Sequence, residues 1–297
     1  FVDIDPHTYN IDPRRIEEKI TKKTRAIIPV NLCGLPADMK AIMKIAKKHK
    51  LRIIEDSCET MFVKRDGRMV GSLSDISCFS TYVAHLLTTG VGGLALTSDK
   101  EIAVKLRSLV NHGRDSIYIS IDDDFGKSET ELKEIISRRF SFVDIGYSYR
   151  LTEFEGALGL AGLARRDKDM AIRRKNARQL MDKLSKFRDF VQLPVIPPGS
   201  EHAFMMFPIT VIDKKVNPVD LINWLENWNI ETRPLLPLLN QPIYQKMFGD
   251  LEPKYPHATF ARKNGFYIGC HPQLKSSDIN YIVSVFSEFF KLNKLSK

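Results

Sequence analysis

Cysteine is scarce in this chain and is never clustered. The 297 residues include four cysteines, at positions 33, 58, 78 and 270. No two of them have the C-x-C or C-x-x-C spacing that zinc and iron–sulfur sites use. We therefore expect no metal site and no iron–sulfur cluster. Isolated cysteines that behave as small hydrophobic residues are typical of a reducing compartment, so the sequence favours a cytoplasmic protein.

Long apolar runs are also missing. No stretch approaches the roughly 18 apolar residues that a membrane-spanning helix requires, and no secretory signal peptide is visible. The chain begins at Phe1 without a methionine, and residues 1–5 read as the end of a strand. We therefore expect that a preceding segment has been cut away, and we expect no membrane association.

The excess of basic residues is modest. There are 45 Lys and Arg residues against 36 Asp and Glu residues, which gives a net charge of +9. The lysine-rich pieces at 44–50 and 168–174 fall on helical patterns, where a solvated helix face is the ordinary explanation. No helix-turn-helix or RNA-binding signature accompanies them. The sequence thus predicts no nucleic-acid partner.

Strand and helix patterns alternate along the first half of the chain. The predicted strands and helices, in order, are a helix at 12–21, a strand at 26–30, a helix at 39–49, strands at 51–56, 75–80 and 92–98, and a helix at 99–110. This βαβ rhythm predicts a mostly parallel sheet that binds ligands at the carboxyl ends of its strands. The polar stretch at 116–137 has no clear period and is expected to be a surface loop.

One long helix is predicted over residues 152–187, where Thr152 and Glu155 have capping-box spacing. Its start at 157–164 is apolar on all sides and rich in small residues, which is typical of a helix buried at a close interface.

A smaller α/β unit is predicted after this helix. It contains a strand at 207–212 and helices at 218–228 and 278–290. We expect residues 1–140 to form the remainder of a large domain, and residues 141–297 to form a connecting helix and a small C-terminal domain.

Four polar side chains follow strand ends in neighbouring βαβ units: Asp56, Glu59, Ser80 and His85. Because the carboxyl ends of parallel strands meet at one edge of a sheet, we expect these side chains to share a crevice. Each also has an ordinary structural explanation. The acids can cap turns, the serine can stabilise a turn, and a histidine among apolar neighbours is more often a core residue than a catalyst. Spacing alone therefore leaves the function open.

Seven segments, in order, resemble the signatures of the DegT/DnrJ/StrS family of pyridoxal-phosphate-dependent enzymes that modify nucleotide sugars. The segments are NIDP at 10–13, PVNLCGLPADM at 29–39, IEDSCE at 54–59, the stretch at 80–93, NHG at 111–113, GYSYRLTE at 146–153 and ETR at 231–233. The resemblance implies the α/β fold-type I aminotransferase architecture, with a mostly parallel sheet in the large domain and a small α/β C-terminal domain. It also implies a further segment ahead of Phe1.

The resemblance implies a role for each of the four polar residues. Asp56 would pair with the pyridine nitrogen of the cofactor and keep it protonated. Glu59 would lie near the ring hydroxyl, and Ser80 would bind the cofactor phosphate. His85 stands where the family usually has the lysine that bonds covalently to the cofactor. Pyridoxal or pyridoxamine phosphate would therefore be held without a covalent bond.

A histidine at this position is similar to one branch of the family, the 3-dehydratases of nucleotide 4-keto-6-deoxyhexoses. An imidazole cannot form the covalent link, but it can move a proton and assist loss of a hydroxyl group. The resemblance thus implies a nucleotide-sugar 3-dehydratase without an iron–sulfur cluster, using glutamate as amino donor. The alternatives are a sugar aminotransferase whose lysine has become histidine, and a homologue that has lost catalysis.

Two positions depart from the family's pattern. Val91 replaces a glutamate, and Ser148 replaces an asparagine that reaches the phosphate of the partner subunit's cofactor. Arg150 and Arg233 are candidate contacts to the substrate or its phosphates, because guanidinium groups suit bidentate phosphate recognition; such arginines also often form only surface ion pairs. The resemblance further implies a homodimer whose active site is shared between subunits.

Overall fold

The computed structural model describes residues 1–115, 125–235 and 238–295. The strands are β1 Ala26–Ile27, β2 Arg52–Asp56, β3 Lys64–Arg65, β4 Arg68–Met69, β5 Ile76–Ser80, β6 Gly93–Leu96, β7 Val191–Gln192, β8 Met206–Val211, β9 Thr232–Pro234 and β10 Gly265–Gly269. The helices are α1 Met39–His49, α2 Lys100–Val110, α3 Glu129–Arg138, α4 Glu153–Leu184, α5 Pro218–Asn227, α6 Pro242–Phe248, α7 Pro256–Asn264 and α8 Ser276–Leu292. No helix in these ranges is long and apolar enough to cross a membrane.

The first sheet has the strand order β1-β2-β5-β6. β1, β2 and β5 are parallel, and β6 runs antiparallel to β5, so the predicted mostly parallel sheet is confirmed. Helix α1 covers this sheet because Ile42 and Ala46 lie on one helical face and pack with Ile27 and Ile53. Its predicted bounds are confirmed to the residue.

The register between β2 and β5 decides where the polar residues lie. Asp56, the last residue of β2, pairs with Cys78 in the parallel strand β5. Ser80 ends β5 and pairs with Gly93 of β6. Because β2 and β5 run in the same direction, Asp56 and Ser80 reach the same edge of the sheet.

The second sheet has the order β7-β8-β10-β9 and is antiparallel throughout. It shares a large apolar cluster with the end of α4 and with α8, in which Leu180, Phe207, Phe266 and Phe286 are fully buried. Residues near the start of the chain also contact this sheet, since the Tyr9 hydroxyl lies 2.8 Å from that of Thr210. The division of the chain into domains at residue 140 stays a prediction.

The predicted helix at 12–21 is wrong in type. The segment forms two short 3₁₀ helices, Pro13–Arg15 and Glu17–Lys19. Asp12 does cap the first of them, since its carboxylate accepts a hydrogen bond from the backbone N–H of Arg14 at 3.0 Å. Ile16 is the only apolar side chain of this segment that is deeply buried, and one such contact stabilises a longer helix poorly.

The loop predicted at 116–137 is partly wrong. Its final residues belong to α3, Glu129–Arg138, which begins at a capping box formed by Ser128 and Glu131. A single buried side chain, Ile135, anchors this helix, so its apolar period is weak in the sequence. Residues 116–124 lie outside the described part of the chain.

Helix α4 confirms the long predicted helix and its capping box. The Glu155 carboxylate accepts hydrogen bonds from the hydroxyl and the backbone N–H of Thr152. The small-residue start of the helix is exposed in the single chain, with Leu158 at 55% and Leu160 at 70% exposure. Its burial at an interface therefore stays a prediction.

A buried histidine stabilises the turn before β8. His202 is 4% exposed, and its Nδ1 accepts a hydrogen bond from the backbone N–H of Phe204 at 2.9 Å. Burial lowers the pKa of His202 to about 3, and the positive charge of Arg174 acts in the same direction. His202 is therefore neutral in the folded protein across the physiological pH range.

This histidine should make the protein less stable in mild acid. In the unfolded chain a histidine has a pKa of about 6.5, so below that pH protons bind the unfolded state preferentially and stability falls. Between pH 7 and pH 5 the wild type should lose about 2 kcal/mol more unfolding free energy than a His202→Asn variant, which keeps a hydrogen-bond acceptor. Urea unfolding at both pH values measures this difference, and equal losses in the two proteins would contradict a neutral buried His202.

Candidate active site

Asp56 provides a carboxylate at the edge of the first sheet. One of its oxygens, Oδ1, accepts a hydrogen bond from the backbone N–H of Cys58 at 3.1 Å. Burial raises the pKa of Cys58 to about 12, and a hydrogen bond to Asp56 and the charge of that residue add to the shift. Burial and Asp56 also raise the pKa of Cys78. Both thiols therefore remain protonated.

Glu59 lies beside Asp56 and is held by the backbone of a neighbouring turn. Its Oε2 accepts a hydrogen bond from the backbone N–H of Cys33 at 2.7 Å. Burial raises the pKa of Glu59, the Cys33 hydrogen bond opposes that effect, and the charge of Asp56 raises it further. The turn at Cys33 and Gly34 needs positive φ at both residues, and a Cβ at Gly34 would come within 2.7 Å of the Phe204 backbone nitrogen.

A buried amide fixes the chain on both sides of Asp56. Asn31 is fully buried, and its Nδ2 donates to Glu55 Oε1 and to Ser57 Oγ, both at 2.8 Å. Its Oδ1 accepts from the backbone N–H of Ala37 at 2.7 Å, and its carbonyl accepts from the Thr60 hydroxyl at 2.6 Å. The sequence contains this asparagine within the 29–39 segment, but nothing in the spacing indicated its role.

The loop after β5 carries His85. Ser80 Oγ accepts a hydrogen bond from the backbone N–H of Tyr82 at 3.2 Å, and the Tyr82 carbonyl accepts one from the His85 N–H at 2.9 Å. The hydroxyls of Thr81 and Thr89 lie 2.6 Å apart and tie the two ends of the loop together. His85 Nδ1 is enclosed and has no hydrogen-bond partner among the described residues. The loop thus positions the imidazole of His85 through backbone hydrogen bonds.

The predicted substrate-binding residues fall into two places. Arg150 Nη2 lies 3.2 Å from His112 Nε2, and Ser148 pairs with Asn111 in a backbone bridge. The two segments that meet here, 111–113 and 146–153, both resemble family signatures.

Arg233 lies instead on the second sheet. It pairs in register with Tyr267 of β10 and forms an ion pair with Glu231. Burial raises the pKa of Tyr267, the charge of Glu59 adds to this, and the charge of Arg233 opposes it. Tyr267 is therefore near enough to feel the charges of both Glu59 and Arg233, and it is a site candidate that the sequence did not reveal. All of these roles stay predictions.

The chemistry of these groups fits pyridoxal phosphate. Asp56 and Glu59 provide two neighbouring carboxyl groups, Ser80 provides a hydroxyl at a strand end that would suit a phosphate, and His85 provides an Nδ1 that has no hydrogen-bond partner in the described part of the chain. In the part of the chain that the structure describes, no group of three or more His, Cys, Asp or Glu side chains is arranged to hold a metal ion.

Comparison with known proteins gives one consistent family. The model of the DegT/DnrJ/EryC1/StrS aminotransferase family matches residues 1–287. The lipopolysaccharide biosynthesis protein RfbH of Salmonella typhimurium is 32% identical over 301 aligned residues, which cover 99% of this chain and 69% of the relative.

Two solved structures show the same fold. The aminotransferase from Psychrobacter cryohalolentis has a TM-score of 0.87 and 25% identity, with coverage of 99% of this chain and 75% of that chain. The GDP-4-keto-6-deoxy-D-mannose-3-dehydratase of E. coli with bound hydrated PLP has a TM-score of 0.82 and 28% identity, with coverage of 96% and 73%. Both kinds of enzyme are thus similar to this chain.

Replacing the buried Asn31 amide with a carboxylate should destabilise the folded protein. Asn31→Asp would place a second carboxyl group against the buried Glu55 carboxylate. Either one of the two groups keeps a proton, or the two negative charges repel each other. We expect a loss of about 3 kcal/mol in unfolding free energy at pH 8, and a smaller loss at pH 5, where protonation relieves the repulsion. Urea unfolding at both pH values tests this.

The matched control for that experiment is Asn217→Asp. Asn217 caps α5 by accepting from the Val219 N–H at 2.9 Å, and aspartate caps helices equally well. The control should remain within about 0.5 kcal/mol of the wild type. A loss in Asn31→Asp that does not change with pH would mean that repulsion by Glu55 is not its cause.

Proposed function

Because the chain belongs to the DegT/DnrJ/EryC1/StrS aminotransferase family, we propose that it removes the C3 hydroxyl of a nucleotide-linked 4-keto-6-deoxyhexose. Family members include pyridoxal-phosphate-dependent sugar aminotransferases and 3-dehydratases. His85 is the observation that favours a dehydratase over an aminotransferase. It is an imidazole on the loop that follows Ser80, and its Nδ1 has no hydrogen-bond partner among the described residues.

Four side chains of this chain would hold the cofactor. Asp56 keeps the proton on the pyridine nitrogen, Glu59 lies at the ring hydroxyl, and Ser80 binds the phosphate through its hydroxyl. Ser148 reaches the phosphate across a subunit interface. When bound, the pyridoxal or pyridoxamine phosphate supplies an electron sink for bond breaking beside the sugar carbonyl.

His85 performs the proton transfers. Its imidazole would accept the proton at C4′ of the cofactor and would donate a proton to the C3 hydroxyl, which would leave as water. Because an imidazole cannot bond covalently to the cofactor as a lysine does, the cofactor is held only by non-covalent contacts. Glutamate serves as the amino donor, and the amino nitrogen leaves as ammonia after the elimination.

An exposed apolar surface supports a homodimer with a shared active site. Large apolar side chains flank Ser148 and continue into the start of α4, among them Ile145 at 87%, Tyr149 at 69% and Phe154 at 83% exposure. Contiguous exposed surface of this kind marks protein interfaces. A second copy of the chain covering it would bring Ser148 of one subunit to the cofactor of the other.

The second candidate function is a sugar aminotransferase, which the similarity to a solved aminotransferase favours. Product mass separates the two functions. The protein, pyridoxamine phosphate and glutamate are incubated with a set of nucleotide 4-keto-6-deoxyhexoses, and the products are analysed by mass spectrometry. Dehydration gives a ketone that has lost its C3 oxygen, whereas transamination gives an amino sugar. Absence of any product and of bound cofactor would favour a catalytically inactive homologue.

His85→Asn should abolish dehydration and leave the cofactor bound, because it removes the base and leaves Asp56 and Ser80 in place. We expect a rate decrease of at least about 100-fold, the usual contribution of a general base. Product formation and the absorbance of bound pyridoxal phosphate are the two measurements. His49→Asn is the control, since His49 Nε2 lies 2.6 Å from Glu17 Oε1 near the surface. Loss of cofactor in His85→Asn would show that His85 is structural.

Asp56→Asn should weaken cofactor binding and activity together. The neutral amide no longer holds a proton on the pyridine nitrogen, so we expect at least about a tenfold weaker cofactor affinity. Cofactor titration followed by absorbance measures this affinity. Asp220→Asn, on the exposed start of α5, should bind like the wild type. An unchanged affinity in Asp56→Asn would remove Asp56 from the cofactor site.

A further inference from the structure

A cavity of about 500 Å³ opens beside His85, away from Asp56, Glu59 and Ser80. The loop that carries His85 and the middle of α4 line it. The turn after β10, which begins at His271, also lines it. His85 thus lines a space that none of the proposed cofactor-binding residues lines.

The charges around this cavity are mainly positive. Arg165, Arg166 and Arg173 line it, and Asp169 is the one acid among the described residues that do so. Three guanidinium groups against one carboxylate leave an excess of two positive charges. These four residues lie within about two turns of α4 at spacings that place them along one side of the helix. Within the part of the chain that the structure describes, Arg166 is the one arginine of the three in an ion pair, with its neighbour Asp167 at 3.3 Å.

Arg173 is built into the wall of the cavity. Its Nη1 donates to the carbonyl oxygens of Cys270, Phe204 and Met205 at 2.6, 3.2 and 3.3 Å. Carbonyl oxygens orient a guanidinium group but do not neutralise its charge. The neighbouring His271 responds to that charge, because burial lowers its pKa and the positive charge of Arg173 lowers it further.

We propose that this cavity is an oxyanion subsite, in which Arg165, Arg166 and Arg173 bind an anionic group of the ligand that reacts at His85. Arginine is suited to this task because its planar fork binds phosphate or carboxylate oxygens in pairs. The proposal rests on the proposed function for its choice of ligand. The diphosphate of a nucleotide sugar and the carboxylates of the amino donor are two sources of the same chemistry, and the cavity has room for the larger of them.

The test is calorimetric titration of the cofactor-loaded protein with inorganic pyrophosphate and, separately, with L-glutamate at low salt. The Arg165→Ala, Arg166→Ala double variant should bind one of the two probes at least tenfold more weakly than the wild type. Weaker binding of pyrophosphate assigns the subsite to the diphosphate, and weaker binding of glutamate assigns it to the amino donor. Equal binding of both probes by wild type and double variant would overturn the proposal.

Two further variants keep the result specific. Arg178→Ala removes an exposed arginine from the same helix outside the cavity, and it should bind both probes like the wild type. An equal loss in Arg178→Ala would mean that general charge attraction is responsible, which also overturns the subsite. The Arg165→Lys, Arg166→Lys variant keeps the charge and should recover only part of the affinity.

These titrations do not require turnover, so they separate this proposal from the proposed reaction. Binding that depends on the two arginines without any dehydrated product would leave the subsite standing and remove the proposed reaction. Formation of the dehydrated product, together with binding that does not depend on the arginines, would support the proposed reaction and overturn the subsite. Melting temperature and cofactor absorbance show that each variant is folded and loaded.

Discussion

The buried amide of Asn31 is the contact on which the candidate active site depends. It donates to the side chains of Glu55 and Ser57, which lie immediately before and after Asp56. The backbone of this strand end is also held, because the Asp56 N–H donates to the Pro29 carbonyl and the Asp56 carbonyl accepts from the Asn31 N–H. Fully satisfied buried networks of this kind are rigid, and rigidity keeps a carboxylate aimed at one point. The chemistry proposed at this edge therefore depends on a residue that takes no part in it.

Local signals predicted the parts of the fold whose pattern is strong. Helix α1 has an acidic cap at Asp38 and apolar residues at helical spacing, and its bounds follow from those features. Helix α3 has one buried side chain, so its sequence resembles a loop. The two 3₁₀ helices near Ile16 have a cap like that of an α-helix and too few apolar contacts to extend it. Apolar residues recur at helical spacing only where one face of a helix is buried, and these segments bury few side chains.

Some residues of the candidate site could be placed from the sequence, and others could not. Asp56 and Ser80 follow strand ends and could be placed at one edge from the sequence, because parallel strands share their direction. The hydrogen bond from Cys33 to Glu59 and the position of Tyr267 join residues that are far apart in the chain. No periodic pattern encodes such a contact. Resemblance to a family supplied the significance of His85, which composition and spacing left open.

Strand β6, at one edge of the first sheet, bears on how the protein aggregates at high concentration. Within the described residues β6 pairs only with β5, and its side chains Leu94 and Leu96 are 43% and 50% exposed. The free side of an edge strand presents backbone N–H and C=O groups that can template pairing with another chain. Aggregation through joined sheets should therefore begin at β6 wherever no other strand covers it, and a lysine in place of Leu94 would oppose it.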